Sequence, residues 1–453
     1  MSDIGRDAQE IATGIPAPSQ RQVVMATLSS IFGWGLDLFD LFILLYIAPI
    51  VGHLFFPVGS PMLSLAATYA SFAVTLLVRP LGSALFGSYA DRHGRRRAML
   101  VAVVGVGVAT AIFGALPTVQ QIGWSAAALF LFFRLVQGVF VGGVVASSHT
   151  IGTESVAERW RGLMSGSVGG AGAAMGGLLA SFIFFIVSIL APGPEMAAWG
   201  WRLMFFSGLL TSVVGVILFR HLEESPFFQA QAAKKAARRR ETESVDPLKL
   251  LMRPPYRNRF LINLLITFGS GAGYYLTSGY LPAFFSVVNH LPHKETSLIL
   301  IIASLGAAAG AMSCGALSQV IGRKTVFLIA CVVRIVAFPL LYLAMAHAHG
   351  FGTLTLYAVL MAFIANGSYG PVLIFLNERF PTSLRATGTG LSWNIGFALG
   401  GMMPTVVSLV AAGHGGSLAH ILAVFTVATS VVFLVGALLI PETKGALEAE
   451  YGR

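Results

Sequence analysis

Gly87-Ser88-Tyr89-Ala90-Asp91-Arg92-His93-Gly94-Arg95-Arg96-Arg97 is a short, densely basic turn between two long apolar runs. Thr68 to Tyr89 precedes it with one charge, Arg79, and Ala98 to Leu116 follows it with none. A degraded copy stands in the second half, Gly315-Ala316-Leu317-Ser318-Gln319-Val320-Ile321-Gly322-Arg323-Lys324. Gly87 to Gly315 and Gly94 to Gly322 share one offset of 228 residues. A second element repeats at nearly the same spacing. Glu154…Arg161-Gly162 is echoed by Glu378…Arg385, glutamate and arginine seven apart in both, at an offset of 224 residues. Glycine-bounded basic turns repeated at half the chain length predict two related membrane halves.

Composition supports that class. Hydrophobic residues make up 56% and charged ones 11%, against about 25% charged in soluble proteins. An ordinary soluble domain is excluded. Apolar runs long enough to cross a bilayer as helices recur near 25–50, 63–89, 98–116, 124–151, 163–190, 200–219, 259–286, 297–321, 325–345, 353–377, 388–412 and 417–440. The fold class expected is an all-α polytopic membrane protein, with twelve transmembrane helices in two pseudo-symmetric six-helix bundles.

The net charge of +10 would suit nucleic acid, but its distribution argues for a bilayer instead. With a cytoplasmic N-terminus, the cytosolic loops hold Arg92, Arg95 to Arg97, Arg159, Arg161, the Arg220–Arg259 cluster, Arg323, Lys324, Arg379 and Arg385. The opposite loops hold Lys294, with Arg202 at an edge. This is the positive-inside asymmetry, and it places both termini in the cytoplasm of an inner (plasma) membrane protein. The chain divides into a tail 1–22, a bundle 23–220, a basic cytosolic loop 221–258, a second bundle 259–440 and a tail 441–453. Lys234–Arg240 (KKAARRR) reads as a solvated stretch fixing topology rather than as a lipid or partner site. Met1 to Arg21 is polar and not a cleavable signal. Cys314 and Cys331 fall inside apolar runs as small buried residues, and no disulfide or metal framework is read from them.

Chemistry concentrates in a few positions. Asp37 and Asp40 stand three apart in helix one, on neighbouring parts of one face. Ionisable residues at membrane depth face a wet cavity or the protein interior, and a desolvated carboxyl is a natural proton-binding site. A structural pair is the competing reading. Arg79, about 24 Å along a helix starting near Leu63, is expected to snorkel near the cytosolic face or hold a structural partner. Arg134-Leu135-Val136-Gln137-Gly138…Gly142-Gly143 lies in helix four. Its glycines allow close helix approach, and Arg134 comes out at the depth of Asp37, so the two can pair. Arg134 reads either as a permanent ion-pair member or as the cation that receives an anionic substrate. His149 follows towards the cytosol and reads as incidental.

Helix seven, Gly269-Ser270-Gly271-Ala272-Gly273-Tyr274-Tyr275-Leu276-Thr277-Ser278-Gly279-Tyr280, is expected to be the least regular. Dense glycine weakens a helix and is tolerated where a cavity or neighbours satisfy the backbone. Tyr274 and Tyr275 fit a cavity wall; Tyr280 fits an interfacial belt. Asn366 in helix ten, and Trp393 with Asn394 in helix eleven, are further substrate-binding candidates. Arg334 in helix nine has no nameable partner.

These motifs together resemble the major facilitator superfamily along nearly the whole chain, most closely its metabolite:proton symporters, relatives of the sugar porters. Pro441-Glu442-Thr443, Arg79-Pro80-Leu81-Gly82 and Glu224-Ser225-Pro226 add to the likeness. The resemblance implies alternating access about a central cavity. It also implies cytosolic charge latches made by Asp91, Arg95, Glu154 and Arg161, and by Arg323, Glu378 and Arg385. Gln319 stands where an aspartate is typical, so the second latch should be weaker. The family's helix-one Glu-Trp-aromatic-Asp is here Asp37-Leu38-Phe39-Asp40, and Val144 replaces a helix-four glutamate, which shifts weight onto Asp37 and Asp40. The expected function is proton-coupled uptake of a small organic anion, a carboxylate, by a protein functional as a monomer. The proton is the coupling ion, with no cofactor, no nucleic acid and no enzymatic site. The alternatives are a uniporter or antiporter of a neutral or zwitterionic solute, and a nutrient sensor with a transporter fold.

Overall fold

The computed structural model describes residues 20–93, 95–154, 161–220, 247–414 and 417–445. Within these the chain is helical and contains no strand. Eleven helical spans are long and apolar enough to cross a bilayer, and a bent pair, Ile31–Tyr46 with Ala48–Phe55, makes a twelfth. They fall where the apolar runs predict. Lipid offers the backbone no hydrogen bonds, so each run must satisfy its own as a helix.

Breaks in three of the spans place the site. The first turns by 64° at Ile47, with Pro49 in the opening turn of the following helix, where its missing N–H removes no intrahelical bond. The seventh stops at Leu276 and resumes at Leu281, inside the glycine-rich stretch. The freed backbone groups find partners there: the Tyr342 hydroxyl donates to the Leu276 carbonyl, and the Thr277 hydroxyl donates to the Gly273 carbonyl at 2.6 Å. The tenth pauses at Gly370-Pro371. Gly138 and Gly142 do allow close approach. A Cβ on Gly138 would lie 2.6 Å from the Thr75 carbonyl oxygen, and one on Gly142 would overlap that of Arg79. Spans two and four therefore touch backbone to backbone.

The two halves meet around a small central cavity and touch each other towards both ends of it. At the end carrying the basic loops, the Ser165 hydroxyl donates to the Gly370 carbonyl at 3.3 Å and accepts from the Ile374 amide at 3.2 Å. Below the cavity, the Trp34 indole donates to the Tyr369 hydroxyl at 3.3 Å. At the opposite end the Tyr69 ring sits 5.1 Å from that of Tyr280, and Phe72 sits 5.3 Å from Tyr275. Tyr280 is fully buried and hydrogen-bonds Ser408 at 2.7 Å. It packs between the halves and does not join an interfacial belt. The broken helix turns this residue inward, which straight-helix depth counting misses.

Candidate functional site

Four charged side chains share the interior of the first half. Asp37, Asp40, Arg79 and Arg134 are 3%, 1%, 5% and 0% exposed. Asp37 and Asp40 are about 4.5 Å apart along the helix and about 60° apart around it, so each meets a different neighbour. Asp37 faces span two, where its Oδ2 pairs with Arg79 Nη2 at 3.5 Å. Asp40 faces spans three and four, towards Thr110 and Arg134. Of the two readings of Arg79, the structure shows the structural partner, Asp37, and not snorkelling: its helix continues to His93, so the residue lies well inside. One expectation is corrected. Arg134 does not pair with Asp37, because Arg79 occupies that carboxylate.

Asp40 and Arg134 face each other without a direct bond. Neither Asp40 oxygen has a hydrogen-bond partner. Arg134 Nη1 donates instead to Gln137 Oε1 at 2.7 Å, and Gln137 Nε2 donates to Thr110 Oγ1 at 2.7 Å. The guanidinium also lies over the Phe113 ring at 4.5 Å and the Phe130 ring at 5.2 Å, a cation–π cradle. An unpartnered carboxylate away from water costs several kcal/mol, and most of that cost disappears when it binds a proton.

The central cavity, about 30 Å³, is small against any metabolite. Phe42, Tyr46 and Tyr274 supply aromatic walls, and Ser278, Ser304 and Asn366 supply polar groups. None of its lining residues is charged. The Tyr274 hydroxyl, Ser278 hydroxyl and Asn366 Oδ1 are buried without hydrogen-bond partners. Buried polar atoms are ordinarily satisfied, and these three orphans lie together on the cavity lining. Of the substrate-binding candidates, the structure brings Tyr274 and Asn366 to this wall. Tyr275 packs instead between Phe72 and Phe397, and Asn394 donates to the Gly390 carbonyl at 2.9 Å. Arg134 is enclosed in the first half. Phe42, Tyr46 and Ser278 were not singled out from the sequence. For Phe42 and Tyr46 the available signal was their position in the helix of Asp37 and Asp40.

The second half carries its own buried cation and a terminal latch. Arg334, fully buried, donates to Ser368 Oγ at 3.1 Å and to the Gly269 carbonyl at 2.8 Å. Arg323 grips Glu378 with two hydrogen bonds, 3.2 and 3.0 Å, and Gln319 Oε1 accepts a third bond from it at 2.8 Å. The Thr443 hydroxyl adds a donor to Glu378 at 2.8 Å. Glu442 accepts the backbone N–H groups of Arg323 and Lys324 at 2.8 and 3.1 Å, seating the chain after span twelve on the start of span nine. Arg385 is not on Glu378; its Nε donates to the Asn377 carbonyl at 3.1 Å. The side chains of Asp91, Arg95, Glu154, Arg161 and His149, and the stretch Lys234–Arg240, lie outside the described residues.

A family model described as Major Facilitator Superfamily matches residues 23–403 and again 264–452. The chain is 28% identical over 387 residues to the glycine betaine/proline/ectoine/pipecolic acid transporter OusA of Dickeya dadantii strain 3937, covering 84% of this chain and 76% of that one. It is 29% identical over 411 residues to the inner membrane metabolite transport protein YhjE of Escherichia coli K12, covering 88% and 90%. The fold matches the proton:xylose symporter XylE with a TM-score of 0.71 over 96% of this chain and 100% of that one, at 20% identity. With its helical spans, its repeated basic turns and a family match across nearly its whole length, the chain belongs to the Major Facilitator Superfamily and is a multi-pass membrane transporter, not an enzyme.

Proposed function

We propose that this transporter moves a small carboxylate-bearing solute together with a proton, by alternating access, and that the solute is zwitterionic. The observation that carries the second part is the cavity wall: three aromatic rings, three unsatisfied polar atoms and no charge. Aromatic faces suit an ammonium group, and the orphan Tyr274 and Ser278 hydroxyls suit a carboxylate. The relatives named for betaine and proline transport support this choice. A net anion held by Arg134, the expectation from sequence, has less support, because Arg134 does not line the cavity. Asp40 is the proton carrier in this reading, being buried and without a donor. The bundles 23–220 and 259–440 would rock about the cavity, with the loop 221–258 and both tails in the cytosol.

Proteoliposomes loaded at alkaline pH and diluted into acid, with labelled glycine betaine, proline and succinate, test this reading. Accumulation of a zwitterion that collapses with a protonophore is expected. Accumulation of succinate alone would restore the net-anion reading. Uptake indifferent to the protonophore would favour uniport.

A further inference from the structure

Gln137 has both ends of its amide engaged and none of its surface exposed. A guanidinium only donates, so the amide oxygen must face Arg134 and the NH2 must face Thr110. Thr110 Oγ1 then accepts, and its hydroxyl proton is left to point elsewhere. The acid next along this line is Asp40, whose polar neighbours are Thr110 and Arg134. Gln137 thus links Arg134 to Thr110, and Thr110 stands next to Asp40 without a hydrogen bond to it. Arg134 Nε and Nη2 carry no hydrogen bond, so the cation has donors to spare. It nonetheless stays off Asp40, tethered by Gln137 and flanked by Phe113 and Phe130.

We propose that Gln137 is a positioning residue that holds Arg134 one link away from Asp40, so that a proton enters and leaves Asp40 without an ion pair being made or broken. This rests on Asp40 being the proton carrier. The groups acting on Asp40 are Asp37 on its own helix, Arg134 on span four and the Thr110 hydroxyl on span three, while Arg79 on span two is paired with Asp37. Of these, only Arg134 is tethered by an amide. Gln137→Met removes the tether at similar length and frees Arg134 to reach the carboxylate, which favours the charged form of Asp40. Gln137→Glu does the opposite, because the new carboxylate takes Arg134 as its own partner and withdraws that charge from Asp40.

The test is an infrared titration of the full-length protein in liposomes, following the protonated-carboxyl stretch with the proton as the only probe. Each variant is compared with the same variant carrying Asp40→Asn, so that the difference band belongs to Asp40. Relative to wild type, the midpoint of that band is expected to move to lower pH by about one unit in Gln137→Met and to higher pH in Gln137→Glu. Thr110→Val should move it up and Thr110→Ser should restore it. Loss of packing alone predicts lowered thermal stability with an unmoved midpoint. An unmoved midpoint in both Gln137 variants overturns this proposal and leaves Asp40 as the carrier. Absence of any Asp40 difference band in wild type overturns both. If Gln137→Met does not fold, the Gln137→Glu and Thr110 pair decides alone.

Discussion

The cores of the two halves hold charge in different ways. The first encloses two carboxyls and two guanidiniums: Asp37 ion-paired with Arg79 at 3.5 Å, and Asp40 unbonded to Arg134, which is held by Gln137 and through it by Thr110. The second encloses Arg334, whose partners are a hydroxyl, a backbone carbonyl and the faces of Phe338 and Phe433; no carboxylate pairs with it among the described residues. Around its central cation the first core holds carboxyls, whereas the buried carboxylate of the second half, Glu378, lies at the terminal latch on Arg323. The second half supplies most of the cavity wall, including Tyr274, Ser278, Ser304 and Asn366. Its fixed cation ties the broken seventh span to the tenth, through Gly269 and Ser368. The duplicated halves have therefore diverged, the first keeping two carboxyls beside its buried guanidiniums and the second holding its cation on neutral partners behind the cavity wall.

Stability measurements can break that contrast. Arg334→Ala should cost the most, about 2–5 kcal/mol, since it leaves a cavity and two unsatisfied groups. Thermal unfolding of the purified protein should show a clear fall in midpoint. Asp40→Asn, by contrast, should be as stable as wild type or more so, because it removes a buried carboxylate that no donor satisfies. Equal losses in both variants would erase the distinction. Gly273→Ala comes next, at about 1–3 kcal/mol. Its Cβ would overlap the Arg334 guanidinium, so combining it with Arg334→Met should relieve most of the cost; additive losses would show that the contact does not matter. Thr443→Val should cost least, about 1 kcal/mol, by removing one hydrogen bond to Glu378. A larger fall there would mean that the segment after span twelve is central to the second half and not an accessory to its latch.

The spans were legible in the sequence because lipid enforces helices of fixed length, and each apolar run declares one. The breaking of span seven was legible from its glycines. Asp37 and Asp40 stood out because carboxyls are rare at membrane depth. Their partners were not legible. Depth counting assumes straight helices that begin at the membrane edge, whereas the helix of Arg79 runs from Pro61 to His93 and overshoots a bilayer. Rotation about the axis, which sends Asp37 to one neighbour and Asp40 to another, depends on packing between spans far apart in the chain. Gln137 carried a local signal, its three-residue spacing from Arg134, but an amide has no meaning until both ends have partners. The family resemblance implied a latch of Arg323, Glu378 and Arg385; the structure joins Arg323 to Glu378, with Gln319 as a neutral acceptor, and turns Arg385 to the Asn377 carbonyl.

Asp40 tests the whole account most directly. Asp40→Asn mimics the permanently protonated acid, so it should carry solute in both directions without releasing a proton. In proteoliposomes with labelled glycine betaine and proline, it should show no accumulation under an imposed pH gradient and near wild-type exchange in counterflow. An Asp40→Asn protein that accumulates solute against its gradient as wild type does would contradict the assignment of the proton to this residue.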